Sequence, residues 1–121
     1  MSDFEIQDEV RPQARVVSIS GEFDIASTDQ ARRVLDQAVA DREHVLVVDL
    51  TRCEFIDSAG LSTLLAAARP RAAEADVTVA AAPDSELRRM LDLTGISLSL
   101  PTFETVDDAA AAAASSPSSG P

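Results

Sequence analysis

The stretch HVLVVDL, His44 to Leu50, constrains the fold more than any other part of the chain. Val45, Leu46, Val47, Val48 and Leu50 leave no polar face. A strand of this kind has to be covered on both sides, as in a sheet flanked by helices, so it is predicted to be the central strand. Its neighbours supply the cover. Ser27-Thr28-Asp29-Gln30 has the form of a capping box, with Ser27 as cap, and Ala31, Val34, Leu35, Ala38 and Val39 then recur at helical spacing. Leu61, Leu64, Leu65 and Ala68 give a second apolar helix face, in which Pro70 predicts a kink or an early end.

The remaining segments extend the same alternation. Phe4 to Val10 reads as a short edge strand ended by Pro12, and Arg15 to Ser20 as a strand with Val17 and Ile19 on one face. Val77 to Ala81 is another strand. Ser85 caps a third helix with Leu87, Met90 and Leu91 buried, and Gly95 ends it. Leu98 to Phe103 is predicted extended, and a last helix begins at Thr105. Strands and helices in this order predict an α/β fold. A chain of 121 residues favours one domain. That domain is placed at residues 1–110, with 111–121 as an Ala/Ser/Pro-rich disordered tail.

Composition excludes several functions. Aromatic residues are 3% of the chain, too few for a platform on which single-stranded nucleic acid stacks. The formal charge of −11 repels phosphate backbones and anionic membranes; it suits a basic partner surface, or serves solubility alone, and charge does not choose between the two. The single cysteine, Cys53, allows no internal disulfide and reads as a small apolar residue. The first residues, MSDFEIQDEV, are not a signal peptide, and no apolar run is long enough to span a bilayer. Cytoplasmic location is the expectation.

Asp57-Ser58 stands where the central strand gives way to the second helix, at the strand end where α/β sheets gather their sites. Ordinary capping accounts for such a pair, with Asp57 as N-cap and Ser58 exposed at the first helical position. A nucleophilic role needs a Gly-x-Ser-x-Gly elbow and a base. Neither is at hand, since the one histidine, His44, belongs to the opposite end of the strand. Asp24, Asp49 and Asp57 lack the His or Cys support of a metal site, and no Gly-rich phosphate loop is present. A phosphate on Ser58 is a further reading. It would meet the positive end of the helix dipole, while Asp57 and Asp24 would repel it.

Three motifs then carry a resemblance. DLTRCEFIDSAGLSTLL, SGEFD (Ser20 to Asp24) and LRRMLDLTGI (Leu87 to Ile96) resemble, in order and spacing, the STAS-domain anti-sigma factor antagonists, over roughly residues 4 to 110. The resemblance implies a mixed β-sheet of four to five strands with helices mainly on one side. It implies a protein with no catalytic residue, cofactor or metal, a monomer or weak dimer. The unphosphorylated form would bind an anti-sigma factor that is itself a serine kinase and so release a sigma factor. Phosphorylation of Ser58 would end that binding and a serine phosphatase would restore it. Carried onto this chain, Ser20, Gly21, Glu22, Asp24, Asp57, Ala59, Gly60 and Leu61 line the partner surface. Gly60 is expected to keep the first helical turn bare for the partner. Ala59, Pro70 and Asp76 depart from the family pattern. The alternative is a non-phosphorylated STAS subunit or scaffold of a transporter or signalling complex.

Overall fold

The strand predicted to be central is the middle member of a five-stranded sheet ordered β1-β2-β3-β4-β5 in this computed structural model, which describes residues 3–72, 74 and 76–114. The strands are β1 (Glu5–Val10), β2 (Arg15–Phe23), β3 (Leu46–Ile56), β4 (Val77–Ala80) and β5 (Thr102–Phe103). β1 and β2 form an antiparallel hairpin, and the other neighbours run parallel, so the sheet is mixed. The helices are α1 (Thr28–Ala40), α2 (Ser58–Ala72), α3 (Glu86–Leu93), α4 (Ile96–Ser99) and α5 (Val106–Ala114), with a 3₁₀ turn over Ile25–Ser27.

Two apolar layers enclose the sheet. The larger joins Val17, Ile19, Leu46, Val48 and Leu50 to Leu35 of α1, Leu64 of α2 and Leu91 of α3. On the opposite face Ala109 and Ala110 of α5 cover Val16, Val47 and Ala80. The buried hydroxyl of Thr78 donates to the Ala109 carbonyl at 2.8 Å and fixes α5 to β4. Helices therefore lie mainly, not wholly, on one side, and β3 is covered on both.

β3 starts two residues later and ends six later than HVLVVDL suggests. It runs for eleven residues against nine in β2, and the two register shifts between the strands absorb the difference as bulges. Side chains alternate strictly only while the register holds. Leu46, Val48 and Leu50 face the larger core at every second position; across the bulges the spacing lengthens to three, with Cys53 after the first bulge and Ile56 after the second. Strand periodicity is lost in TRCEFI for that reason, although the strand continues.

Other boundaries differ for local reasons. A capping box is present, but one turn earlier than predicted. Asp24 is the cap of the 3₁₀ turn, and Ser27 makes no side-chain cap bond to α1. α2 continues two residues past Pro70, because a proline in the last turn removes only one late donor. Residues 96–99, partly expected to be extended, form a helical turn, and only Thr102–Phe103 pair as a strand. α5 reaches Ala114, beyond the boundary set at 110. Residues 115–121, on which the rest of the tail expectation falls, lie outside the described residues.

The end of the sheet where β3 begins is held by charge. Asp41 accepts from the Glu43 backbone N–H at 2.8 Å, lies 2.8 Å from His44 Nδ1, and accepts from Arg15 at 3.3 Å. Burial opposes ionisation of this carboxyl, but the Glu43, His44 and Arg15 interactions outweigh it and hold Asp41 at about 2. An acid held lower in the folded than in the unfolded chain stabilises the fold above its unfolded value, and the contribution is lost as pH falls through the folded one. The unfolding free energy should therefore decline as pH drops from about 4 toward 2. Asp41→Asn should be less stable at neutral pH and show a shallower decline, read by urea unfolding at each pH.

Candidate functional site

Asp57 is the first residue after β3, and all its polar groups are committed. Its N–H donates to the Phe23 carbonyl at 3.2 Å, tying the exit of β3 to the end of β2. Its Oδ1 accepts from the Gly60 N–H at 2.8 Å, and its carbonyl accepts from the Leu61 N–H at 2.9 Å, so Asp57 is the N-cap of α2. The second carboxylate oxygen accepts from the Ile25 N–H at 3.2 Å. One side chain thus pins the start of α2 to the 3₁₀ turn that follows β2.

Ser58 then occupies the first helical position, as predicted. It is exposed, and its hydroxyl has no hydrogen-bond partner among the described residues. Asp24 is nearby in the chain of contacts. Its Oδ1 accepts from the Ala26 N–H at 3.1 Å and from the Ser27 hydroxyl at 3.2 Å. Two carboxylates and a free hydroxyl therefore share one rigid corner. The only histidine pairs with Asp41 just before β3 begins, at the other end of an eleven-residue strand, about 35 Å long at ~3.3 Å per residue. It gives Ser58 no base. Asp49 is turned to Ser18 and Thr51, away from Asp24 and Asp57.

The remaining predicted residues divide by exposure. Ser20, Glu22, Ala59 and Leu61 are half-buried, and Leu61 also packs on the core. Ser20 is paired with Arg52 and Glu22 with Phe55 across the bulged register. The two glycines face inward. Gly21 has φ +80° and a Cβ there would meet the Asp3 carbonyl oxygen at 2.0 Å. A Cβ on Gly60 would lie 2.6 Å from the Phe23 carbonyl oxygen and 2.9 Å from Ile56 Cγ1. Gly60 thus lets the helix approach β2 and β3 from within; the bare turn expected on the partner side is a close contact on the core side. Gly60→Ala should cost about 1–3 kcal/mol through overpacking, despite the better helix propensity of alanine, and thermal unfolding would show it as a lowered melting temperature.

Cys53 is buried and its thiol donates to the Phe55 carbonyl at 3.4 Å. Burial pushes the thiol up to about 11, so it stays protonated and unreactive at neutral pH. Two residues escaped the sequence reading: Ile25 is 74% exposed and Phe55 51% exposed. Ile25 sits in a turn that looked like the approach to a cap, and Phe55 in a stretch whose alternation the bulges erase.

The family description that matches is the STAS domain, over residues 5–109. A curated relative, the anti-sigma-F factor antagonist RsfB of Mycobacterium tuberculosis, is 33% identical over 94 residues, covering 78% of this chain and 76% of the relative. The crystal structure of an anti-sigma factor antagonist from Mycobacterium paratuberculosis superposes with a TM-score of 0.80 at 32% identity, covering 92% of this chain and 94% of that one. The unphosphorylated form of the anti-sigma factor antagonist SpoIIAA gives a TM-score of 0.60 at 20% identity, covering 88% and 92%, a likeness of fold.

Proposed function

This chain belongs to the STAS domain family, and on that premise we propose that it is an anti-sigma factor antagonist gated by phosphorylation of Ser58. The unphosphorylated chain binds an anti-sigma factor and so frees a sigma factor. The anti-sigma factor is itself the serine kinase that modifies Ser58, and a serine phosphatase resets the switch. The chain is a regulatory binding protein of the cytoplasm, with no catalytic residue of its own.

The observation that carries the reading is the exposed, unpartnered Ser58 hydroxyl at the start of a helix whose position Asp57 fixes through four hydrogen bonds. A kinase can reach such a hydroxyl without unfolding anything. A phosphate there gains roughly 0.3–1 kcal/mol from the helix N-terminus, so the fold tolerates it. Its charge of about −1.5 to −2 changes the docking surface. Ser20, Glu22, Asp24, Asp57, Ala59 and Leu61 form that surface around Ser58, and Gly21 and Gly60 set its shape from beneath. The named functions of the relatives favour this reading over a transporter subunit. No helix among the described residues is long and apolar enough to cross a membrane.

The test is a competition. Each anti-sigma factor of the organism that carries this chain is purified in complex with its sigma factor, and the unphosphorylated chain is added. Release of a sigma factor from at least one complex, at stoichiometric antagonist, is the expected result. Sigma retention in every complex would overturn the assignment.

A further inference from the structure

Exposed apolar residues scattered singly are ordinary on a protein surface. Among the described residues, Val10, Ile25, Phe55, Leu93 and Leu98 are the large ones. Ile25 and Phe55 stand apart from the other three because the Ile25 N–H is bonded to Asp57 and Phe55 lies two residues before Asp57 in the chain. The Ile25 N–H is held by Asp57, and its carbonyl accepts from the Thr28 hydroxyl at 3.1 Å. The turn it opens is closed on itself by Asp24 and Ser27. Phe55 lies beyond the second bulge of β3, paired with Glu22, two residues before Asp57. Its carbonyl accepts from the buried Cys53 thiol. Both backbones are held by hydrogen bonds before a partner arrives, so docking has less backbone to order.

The charges around them are mostly of one sign. Glu22, Asp24, Glu54 and Asp57 accompany the two apolar residues, and Arg52 is the cation of this stretch. Large exposed apolar side chains with carboxylates next to them in the chain and across the strand pair fit a partner that has an apolar cleft with a basic rim. Resting on the function proposed above, we propose that Ile25 and Phe55 are the apolar anchors of the docking face, and that the anti-sigma factor receives them in a cleft rimmed by Lys and Arg. Asp57 is a positioning residue in this arrangement, since it holds Ile25 in place through the backbone. A phosphate on Ser58 brings negative charge beside Asp57 and meets the same basic rim out of register with the anchors.

Leu93 and Leu98 provide an internal control. They are 76% and 88% exposed, and Leu98 borders a groove with Leu65, Arg69 and Ala72 of α2. Arg69 lies about 16 Å along α2 from Ser58, at ~1.5 Å rise per residue. Removing apolar surface there leaves the Ser58 corner intact.

The experiment titrates the full chain against the purified anti-sigma factors of the same organism, using isothermal calorimetry. Wild type, Ile25→Ser, Phe55→Ser and the double variant Leu93→Ser/Leu98→Ser are compared, with melting temperatures as a check on folding. Ile25→Ser and Phe55→Ser should each weaken binding on the order of tenfold or more, with unchanged melting, and the Leu93/Leu98 variant should bind as wild type. If the wild-type chain binds and Ser58 phosphorylation releases it, but Ile25→Ser and Phe55→Ser bind equally well, the anchor assignment is wrong and the proposed function stands. Equal weakening by the Leu93/Leu98 variant also overturns the anchors, because the loss is then not local. If no anti-sigma factor binds the wild-type chain, the function and the anchors fall together.

Discussion

Arg71→Met should lower the unfolding free energy by about 3 kcal/mol or more and the melting temperature by roughly 10 °C. Arg71 is fully buried, yet it is a charged residue in the last turn of α2. Its guanidinium forms a two-pronged pair with Asp76, Nε to Oδ1 at 2.8 Å and Nη2 to Oδ2 at 2.9 Å. The remaining donors reach backbone carbonyls of Val39 at 3.1 Å, Asp41 at 2.6 Å and His44 at 2.7 Å. One side chain therefore joins the end of α1, the loop into β3, α2 and the approach to β4. Methionine fills comparable volume but leaves a carboxylate and three carbonyls without their donor, and unpaired buried polar groups are costly. The Asp76 carboxylate is 26% exposed, so water recovers part of the loss and the lower end of the range for broken buried pairs applies. Arg71→Lys should fall between, because an ammonium cannot serve the carboxylate and the three carbonyls at once. Urea unfolding of the three proteins measures this, and a loss below about 1 kcal/mol for Arg71→Met would show the pair to be no better than a surface ion pair.

The second large effect is on binding. Phosphorylation of Ser58 should weaken the complex with the anti-sigma factor by about a hundredfold, equivalent to ~2.8 kcal/mol, while melting changes by no more than a few degrees. The two readouts separate because the phosphate meets opposite surroundings on its two sides. Toward the protein it gains the free N–H groups of the first turn of α2 and loses by repulsion from Asp57, which leaves a small net change. Toward the partner it places a bulky, strongly hydrated dianion on a surface shaped for a hydroxyl, and the steric and desolvation cost of closing that surface exceeds what the basic rim returns. Ser58→Asp carries one charge on a shorter arm and should weaken binding only about tenfold. Ser58→Ala removes neither shape nor cap and should bind nearly as wild type. A phosphorylated chain that binds as tightly as the unmodified one, in the same titration, would contradict the switch.

Particular residues show what the sequence made legible. The apolar run at Val45–Leu50 sufficed for a central covered strand, because continuous aliphatic residues have one environment open to them. Asp57 as cap, with Ser58 exposed beside it, was equally readable, since a cap is a local bond between neighbours. The bulges of β3 were not, because an extra residue in one strand is defined only by its partner. Arg71 was hidden for the same reason. It sits between Pro70 and the alanines and resembles a surface cation, and its partners come from residues 39 to 44 as well as Asp76. Asp76, a departure from the family pattern at sequence level, is the other half of that pair. Gly60 was noticed, but the direction of its close contact depends on Phe23, which is distant in sequence.

One reaction joins the modification of Ser58 to the release of the partner. The chain and its anti-sigma factor are mixed with magnesium and ATP, and intact mass and complex lifetime are followed in the same tube, for wild type and Ser58→Ala. Wild type should gain one phosphate, mapped to Ser58, with the complex dissociating as it appears. Ser58→Ala should gain no phosphate and stay bound. A complex that persists after Ser58 is fully phosphorylated, or a phosphate that appears equally on Ser58→Ala, would contradict the switch.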